Sequence, residues 1–304
     1  MLSPKQVWRL LKEAFKAWNQ DQASRLAAAL AYYTLFSLAP LLLLTIAIAS
    51  LFFDNTAVRE QLLGQVQSLV GTASADFVST VLDNANQPGS NSGWVASGVS
   101  LVLVLVGATG VLAQLQQSLN IIWNISVRPD VGVFNILRQR LLSLGMIIVI
   151  GFLLLVSLVM SALISGFSGY LYTLLPGLDA LVQLLNFAVA FGLTTLLFAL
   201  IFKYLPDAVI SWGDVWFGAA ATALLFSIGK YLIGLYLGNS GFASSYGAAG
   251  SVIVLLVWVF YSAQILFYGA ELTQIYSGRF GSQIRPNQYA TQHDSLPQTP
   301  SDSA

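Results

Sequence analysis

The 28 residues between Arg25 and Asp54 contain no charged side chain, and they form the first of several such runs. Further uncharged stretches cover residues 84–127, 141–178, 180–202 and 231–270. A bilayer core about 30 Å thick is crossed by roughly 20 apolar helical residues, so each run is long enough for one crossing. The sequence therefore predicts an all-α, polytopic membrane protein.

The composition agrees with this prediction and removes several classes of function. Hydrophobic residues make up 56% of the 304 residues and charged residues only 9%, whereas a soluble domain carries about 25% charged residues. Cysteine is absent, which excludes disulfides, thiolate metal sites and cysteine nucleophiles. His293, the only histidine, lies in a polar tail.

The apolar runs divide into six predicted transmembrane helices within one domain, residues 1–279. They cover about 26–53, 94–118, 141–165, 180–202, 214–238 and 250–272. Pro40 lacks an N–H and is expected to kink the first helix. Residues 54–93 repeat apolar side chains every three or four positions, which predicts two short amphipathic extracytoplasmic helices broken near Gly71. Residues 280–304 are polar and are expected to form a disordered cytoplasmic tail.

Residues 3–20 predict an N-terminal amphipathic helix. Ser3 and Gln6 have the spacing of a capping box, and Pro4 suits the first helical position. The predicted apolar face consists of Val7, Leu11, Ala14, Phe15 and Trp18. The basic residues on the remaining surface are Lys5, Arg9, Lys12 and Lys16. Two interpretations stay open: the helix lies in the membrane interface, or it packs on the cytoplasmic ends of the bundle.

The distribution of lysine and arginine predicts the orientation. Eleven of these residues fall on the side that holds both termini and the 124–140 loop, and only Arg59 falls in the 54–93 segment. Because basic residues are retained in the cytoplasm, both termini are expected to be cytoplasmic, with residues 54–93 outside. Six crossings satisfy this alternation and place residues 54–93 in the periplasm or outside the cell.

Three groups of residues resemble the YihY/BrkB family of bacterial inner-membrane proteins. The first-helix stretch from Ala27 through Tyr32-Tyr33 to Pro40 is similar to that family's opening signature. Tyr246 to Ser251, the stretch from Leu256 to Tyr261 and Gly269-Ala270-Glu271-Leu272 resemble its closing signature, and Leu205-Pro206 with Trp212-Gly213-Asp214 matches an inner loop. The resemblance covers roughly residues 10–280.

This resemblance implies six transmembrane helices, cytoplasmic termini and one of three functions. These functions are tRNA processing by a ribonuclease, virulence or serum resistance, and export of envelope lipids. Many members follow the Leu-Pro pair with basic residues, whereas this chain continues with Asp207-Ala208-Val209-Ile210-Ser211. That departure weakens any role of the loop in gripping a polyanion.

Charges inside a membrane are costly and are functional candidates by default. Glu271 shares one predicted face with Tyr261, Gln264 and Tyr268, so this polar stripe is expected to point into the bundle. Two roles remain open for Glu271. It caps helix ends or pairs with Arg25 or Arg138, or it binds a substrate or a proton.

Lys230 lies within the fifth predicted helix, about 12 Å from its outer end at 1.5 Å per residue. A lysine can extend that far to the interface. The alternatives are snorkelling, pairing with a carboxylate such as Asp54, or a site for an anionic cargo. Lys230 and Glu271 are expected at opposite depths.

A row of amides, Gln114, Gln117, Asn120 and Asn124, follows a three-to-four-residue spacing in the second helix. It could line an inner cavity with Tyr32, Tyr33 and Ser37, or it could join helices at about 0.6–2 kcal/mol per hydrogen bond. Ser157, Ser161 and Ser165, and likewise Gly234 and Gly238, are expected at close helix contacts. Asp214 is expected to cap the fifth helix.

The sequence favours a transporter over an enzyme. No clustered carboxylates, phosphate-binding loop or zinc-ligand spacing is present to support hydrolysis, so neither catalysis nor a cofactor, a metal or a nucleic-acid partner is expected. The leading hypothesis is movement of an envelope lipid or another amphipathic anion. The alternative is a membrane scaffold, with a periplasmic protein partner or a second copy of the chain.

Overall fold

The computed structural model describes residues 3–51, 54–85, 94–128, 145–149, 152, 153, 156, 179–239 and 249–292. The helices within these residues are α1 (Pro4–Gln20), α2 (Ala23–Ala49), α3 (Asn55–Val70), α4 (Thr72–Ala85), α5 (Trp94–Ile122), α6 (Asp179–Tyr204), α7 (Trp212–Asn239) and α8 (Gly250–Phe280). The short strands are β1 (Ile125–Val127), β2 (Ala208–Val209), β3 (Arg285–Pro286) and β4 (Ala290–Gln292).

Four helices within the described residues are long and apolar enough to cross a membrane: Ala23–Ala47, Gln183–Tyr204, Trp212–Tyr236 and Gly250–Phe280. They correspond to the first, fourth, fifth and sixth predicted helices. Helix α5 covers the second and continues to Ile122. Most of the third predicted helix, 141–165, lies outside the described residues. Ser157, Ser161 and Ser165 all lie outside them. The number six therefore remains a prediction.

The core of the bundle joins α2, α5, α6, α7 and α8. Leu119, Phe202 and Phe267 are completely buried in it. Burial of such side chains contributes about 1.5–3 kcal/mol each where water is the reference solvent. Within lipid that driving force is absent, so close packing must hold the helices together instead.

Helices α7 and α8 show this close packing through two reciprocal contacts. A side chain on Gly218 would collide with Thr273, and one on Gly269 would collide with Thr222. Each threonine hydroxyl donates to the carbonyl of the glycine four residues earlier in its own helix, at 2.7 Å. The polar threonine atoms are thereby satisfied while the two backbones approach each other. Gly234 has no atom of the described residues within 4 Å of a Cβ position. The predicted helix contact of Gly234 and Gly238 stays a prediction, because the third predicted helix lies mostly outside the described residues.

Helices α2 and α5 meet at Pro40 and Ser37. A Cβ on Gly107 would lie 2.8 Å from Cγ of Pro40, and one on Gly110 would lie 3.1 Å from Oγ of Ser37. The α-helical backbone of α2 continues through Pro40, and the predicted kink stays a prediction. Ser37 is buried at this helix contact.

Helices α3 and α4 form a hairpin against the second half of α2. The Asp54 carboxylate accepts hydrogen bonds from the N–H groups of Thr56 and Ala57, which begins α3. Gly71 ends it with φ +97°, a conformation that favours glycine, so the predicted break lies where it was expected. The apolar residues of this hairpin pack on Leu42 and Ile46.

Helix α1 begins with the predicted capping box between Ser3 and Gln6. Its buried side chains are Leu10 and Ala14, which pack against Leu272 of α8. Trp8 and Phe15 are 71% and 61% exposed. The predicted apolar face is therefore divided, because Ala14 packs on the bundle while Phe15 and Val7 remain exposed.

The C-terminal segment 281–292 is ordered, in contrast to the expectation of a disordered tail from residue 280, and it contributes two short strands to a mostly helical fold. Its strands β3 and β4 pair antiparallel with β2 and β1 respectively. The segment thereby joins the loop after α5 to the loop before α7. The physical reason is a set of hydrogen bonds to buried side chains elsewhere in the chain, which composition alone does not reveal.

Candidate functional site

An apolar groove of about 310 Å³ opens on the side of the bundle between α1, α7 and α8. Its lining residues are Phe15 and Trp18 of α1, Leu225, Ile228, Gly229 and Leu232 of α7, and Tyr261, Gln264, Ile265 and Tyr268 of α8. Three members of the predicted polar stripe, Tyr261, Gln264 and Tyr268, thus line one groove. The aromatic wall from α1 was not expected there.

Two side chains of α8 tie the floor of this groove to α1 and α2. The Tyr268 hydroxyl donates to the carbonyl of Leu11 at 2.9 Å, and Gln264 Nε2 donates to Oγ of Ser24 at 3.1 Å. The indole N–H of Trp18 is buried without an acceptor among the described residues. An amphipathic molecule in the groove would therefore find mainly apolar and aromatic walls.

Glu271, the fourth member of the stripe, does not line the groove and is completely buried. Neither of its carboxyl oxygens accepts a hydrogen bond from a donor in the described part of the chain. Asp21, at the corner between α1 and α2, is the ionisable side chain that interacts with Glu271. Burial raises the pKa of Asp21, and the interaction with Glu271 partly offsets this rise. The predicted pairing with Arg25 is not observed, and Arg138 lies outside the described residues.

Lys230 is exposed on α7 and has no ion-pair partner among the described residues. Asp54, its suggested partner, caps α3 instead. Lys230 does not line the groove. Its assignment to snorkelling or to an anionic cargo therefore stays a prediction.

The predicted amide row does not form one surface. Gln117 is exposed, and Gln114 contacts Ser118 within its own helix at 3.4 Å. Tyr32 and Tyr33 are 60% and 43% exposed on the outside of the described structure. Asn120 is buried with Gln116, which the spacing argument missed. Gln117 and Asn120 thus differ in burial, whereas Tyr33 and Ser37 both lie at Gly110 of α5, one turn before Gln114. A cavity lined by the remaining residues stays a prediction.

Gln116 and Asn120 bind Asp207, which is completely buried. Their amide groups both donate to its Oδ2 at 3.0 Å, and Asn287 of the tail donates to Oδ1 at 3.2 Å. The N–H of Asp207 returns a bond to Asn120 Oδ1 at 2.9 Å. Asp207 is therefore a structural centre that joins α5, the α6–α7 loop and the tail.

Asp214 forms a second such centre, and its predicted capping role is wrong. Ser211 caps α7, since its Oγ accepts from the N–H of Asp214 at 3.3 Å. The Asp214 carboxylate instead accepts from Ser277 Oγ at 2.7 Å and from the N–H and Oγ of Ser282 at 3.0 Å. A Cβ on Gly281 would collide with this carboxylate. The glycine lets the chain turn tightly onto Asp214 at the end of α8.

The helices define the class: this is a helical membrane protein built around long apolar helices. Residues 14–294 match the family described as Virulence factor BrkB, so the chain belongs to that family. No solved structure is significantly similar to the chain.

Its relatives are UPF0761 membrane proteins. One from Teredinibacter turnerae is 30% identical over 85% of this chain and 58% of its own length. Others from Pseudoalteromonas translucida and Alteromonas mediterranea are 27% and 30% identical, over 88% and 85% of this chain and 88% and 84% of their own lengths. The chain thus spans little more than half of the first relative and most of the other two.

Proposed function

We propose that this protein moves an amphipathic anion, such as a lipid of the cell envelope, through or along the cytoplasmic membrane. The observation that carries the proposal is the groove between α1, α7 and α8, which is open at the side of a membrane protein and has apolar and aromatic walls. A groove of about 310 Å³ is within the size range of small-molecule sites. It could hold part of an acyl chain.

The charge on α1 supports an anionic headgroup. Lys12 and Lys16 are exposed on the same helix that supplies Phe15 and Trp18 to the groove wall. Each basic residue near an anionic membrane surface contributes about 1 kcal/mol. A cargo with its chain in the groove would therefore place a phosphate within reach of this basic surface.

The test is lipid movement in liposomes that contain the purified full chain. The probe is headgroup-labelled phosphatidylglycerol, with labelled phosphatidylcholine as the uncharged comparison, and a membrane-impermeant reductant removes label from the outer leaflet. We expect the protein to bring inner-leaflet phosphatidylglycerol within reach of the reductant. No loss beyond that of protein-free liposomes, with or without a proton gradient, would contradict the proposal and favour the scaffold alternative.

A groove-filling variant makes the assay specific. Ile228 lines the groove, and Leu224 lies one turn earlier on the exposed surface of α7 without lining it. We expect Ile228→Trp to slow movement several-fold and Leu224→Trp to leave it unchanged. Equal effects of the two substitutions would place the pathway elsewhere.

A further inference from the structure

Asp21 lies at a constrained corner. Its N–H donates to the carbonyl of Ala17 and ends α1, and Gln22 follows with φ +53° before α2 begins. The left-handed conformation costs about 1–2 kcal/mol for a residue other than glycine. The chain accepts this conformation at the point where Asp21 meets Glu271 of α8.

Glu271 cannot carry an uncompensated charge where it lies. An ionised carboxylate buried without a partner costs several kcal/mol, so it must be paired with a cation or hold a proton. It is completely buried, neither oxygen has a good hydrogen-bond donor in the described residues, and its neighbouring ionisable group is a second acid. Two acids side by side disfavour a state in which both are ionised.

The other charged groups on the described helices that pack against α8 are engaged or exposed. Glu13 pairs with Arg279, and Asp214 is bound by Ser277 and Ser282. The Tyr268 hydroxyl is bonded to Leu11, and α5 carries no charged residue. The remaining groups are exposed or half-exposed, namely Lys5, Arg9, Lys12, Lys16, Arg25, Arg59, Glu60, Asp76, Asp83 and Lys230.

We propose that Asp21 and Glu271 form a proton-binding site, in which the two carboxyl groups hold one proton between α1 and α8. The pair then carries a single negative charge, which lies toward the half-exposed Asp21. The described residues contain no group of three or more acidic or histidine side chains that could hold a metal ion. A proton is the ligand that two carboxyl oxygens can bind without further ligands.

The site adjoins the groove, and this connection gives it a role that rests on the proposed function. Tyr268 lies one turn before Glu271, and its hydrogen bond to Leu11 belongs to the same contact between α1 and α8. Loss of the proton would place two negative charges on opposite sides of that contact. Their repulsion would separate α1 from α8, so proton release would open the groove wall that carries Phe15 and Trp18.

Infrared spectroscopy of the full chain in lipid nanodiscs tests the site without any cargo. At neutral pH we expect the wild type to show the C=O band of a buried protonated carboxyl group. Glu271→Gln, which preserves size and hydrogen bonding, should lose this band. Glu13→Gln is the matched control, because Glu13 is an exposed acid at the contact of α1 with α8, and it should retain the band.

Asp21→Asn keeps the test decisive if Glu271→Gln does not fold. Changing the partner of the protonated group should shift the frequency of the band without abolishing it. An unchanged band in Asp21→Asn would overturn the shared proton, as would a wild-type band that survives in Glu271→Gln. The wild type could instead lack the band in the presence of sodium and gain it when sodium is withdrawn. That result would show that the site binds a cation and not a proton. None of these results depends on lipid movement, so this proposal and the proposed function can fail separately.

Discussion

Asp207 and Asp214 are buried at the same end of the bundle as Glu271, but their surroundings differ in kind. Asp207 accepts bonds from Gln116, Asn120 and Asn287, and Asp214 accepts from Ser277 and Ser282. Glu271 has no such donor in the described residues and faces another acid. The first two bind the tail segment 281–292, and the third lies at the joint between α1 and α8.

The difference separates two acids with a structural role, Asp207 and Asp214, from Glu271, whose proton can exchange. A carboxylate that accepts several hydrogen bonds fixes the groups around it. A carboxyl group without donors lets its charge depend on a proton that can leave. The tail region is therefore expected to be rigid, and the α1–α8 joint is the part of this end that can change state.

The largest expected effect comes from Asp207→Ala. It leaves the buried amide donors of Gln116 and Asn120, and the partly buried amide donor of Asn287, without their acceptor. An unsatisfied buried group costs about 1–3 kcal/mol. We expect the free energy of unfolding in detergent to fall by about 3 kcal/mol or more. Asp76→Ala, at an exposed acid on α4, should stay within about 0.5 kcal/mol of wild type. If both variants lowered the free energy of unfolding by similar amounts, Asp207 would have no special structural role.

Gly281→Ala tests the second centre and should have a smaller effect. The added methyl group collides with the Asp214 carboxylate, and such overpacking costs about 1–3 kcal/mol. Gly278→Ala is the control three residues away, where no atom of the described residues lies within 4 Å of the new Cβ. Since alanine favours a helix, that variant should be neutral or stabilised by up to about 1 kcal/mol. Thermal unfolding of both variants gives the comparison, and equal midpoints would show that the tight turn is unimportant.

The pH dependence of stability sharpens the contrast at Asp21. Because burial raises the pKa of this group, its stabilising contribution is complete below the ordinary aspartate pKa of about 3.9 and is lost as the pH rises through the raised value. One proton limits the slope to about 1.4 kcal/mol per pH unit, and the partial exposure of Asp21 keeps it below that. We expect unfolding midpoints measured from acid toward neutral pH to fall more in wild type than in Asp21→Asn. If the midpoints of wild type and Asp21→Asn changed in parallel with pH, folding would not alter the pKa of Asp21.

The smallest effect is expected for the exposed pair Glu13–Arg279, with N and O atoms 2.7 Å apart. Exposed ion pairs contribute about 0–1 kcal/mol. A double-mutant cycle with Glu13→Ala and Arg279→Ala should therefore give a coupling energy below about 1 kcal/mol, and less at high salt. A larger coupling energy would show that α1 is held to α8 mainly by this ion pair and not by the contacts of Tyr268 and Leu272 with α1.

Local rules were reliable where the signal was local. The capping box at Ser3 and the break at Gly71 depend on neighbouring residues, and both lie where the sequence placed them. The spacing of Tyr261, Gln264 and Tyr268 placed them on one surface. The amide row failed because three-to-four-residue spacing does not say which face meets a partner, so Gln116 took the buried position expected for Gln117.

The sequence by itself determined that long uncharged helices make up most of this chain, because apolar runs in a helix leave no other low-energy solvent than lipid or protein. It also identified Glu271 as a costly residue. Only the tertiary structure decided that Asp21 is its neighbour, that Asp207 collects amides from α5 and the tail, and that residues 281–292 are ordered. These contacts join residues up to 250 positions apart, and no local propensity encodes such a distance.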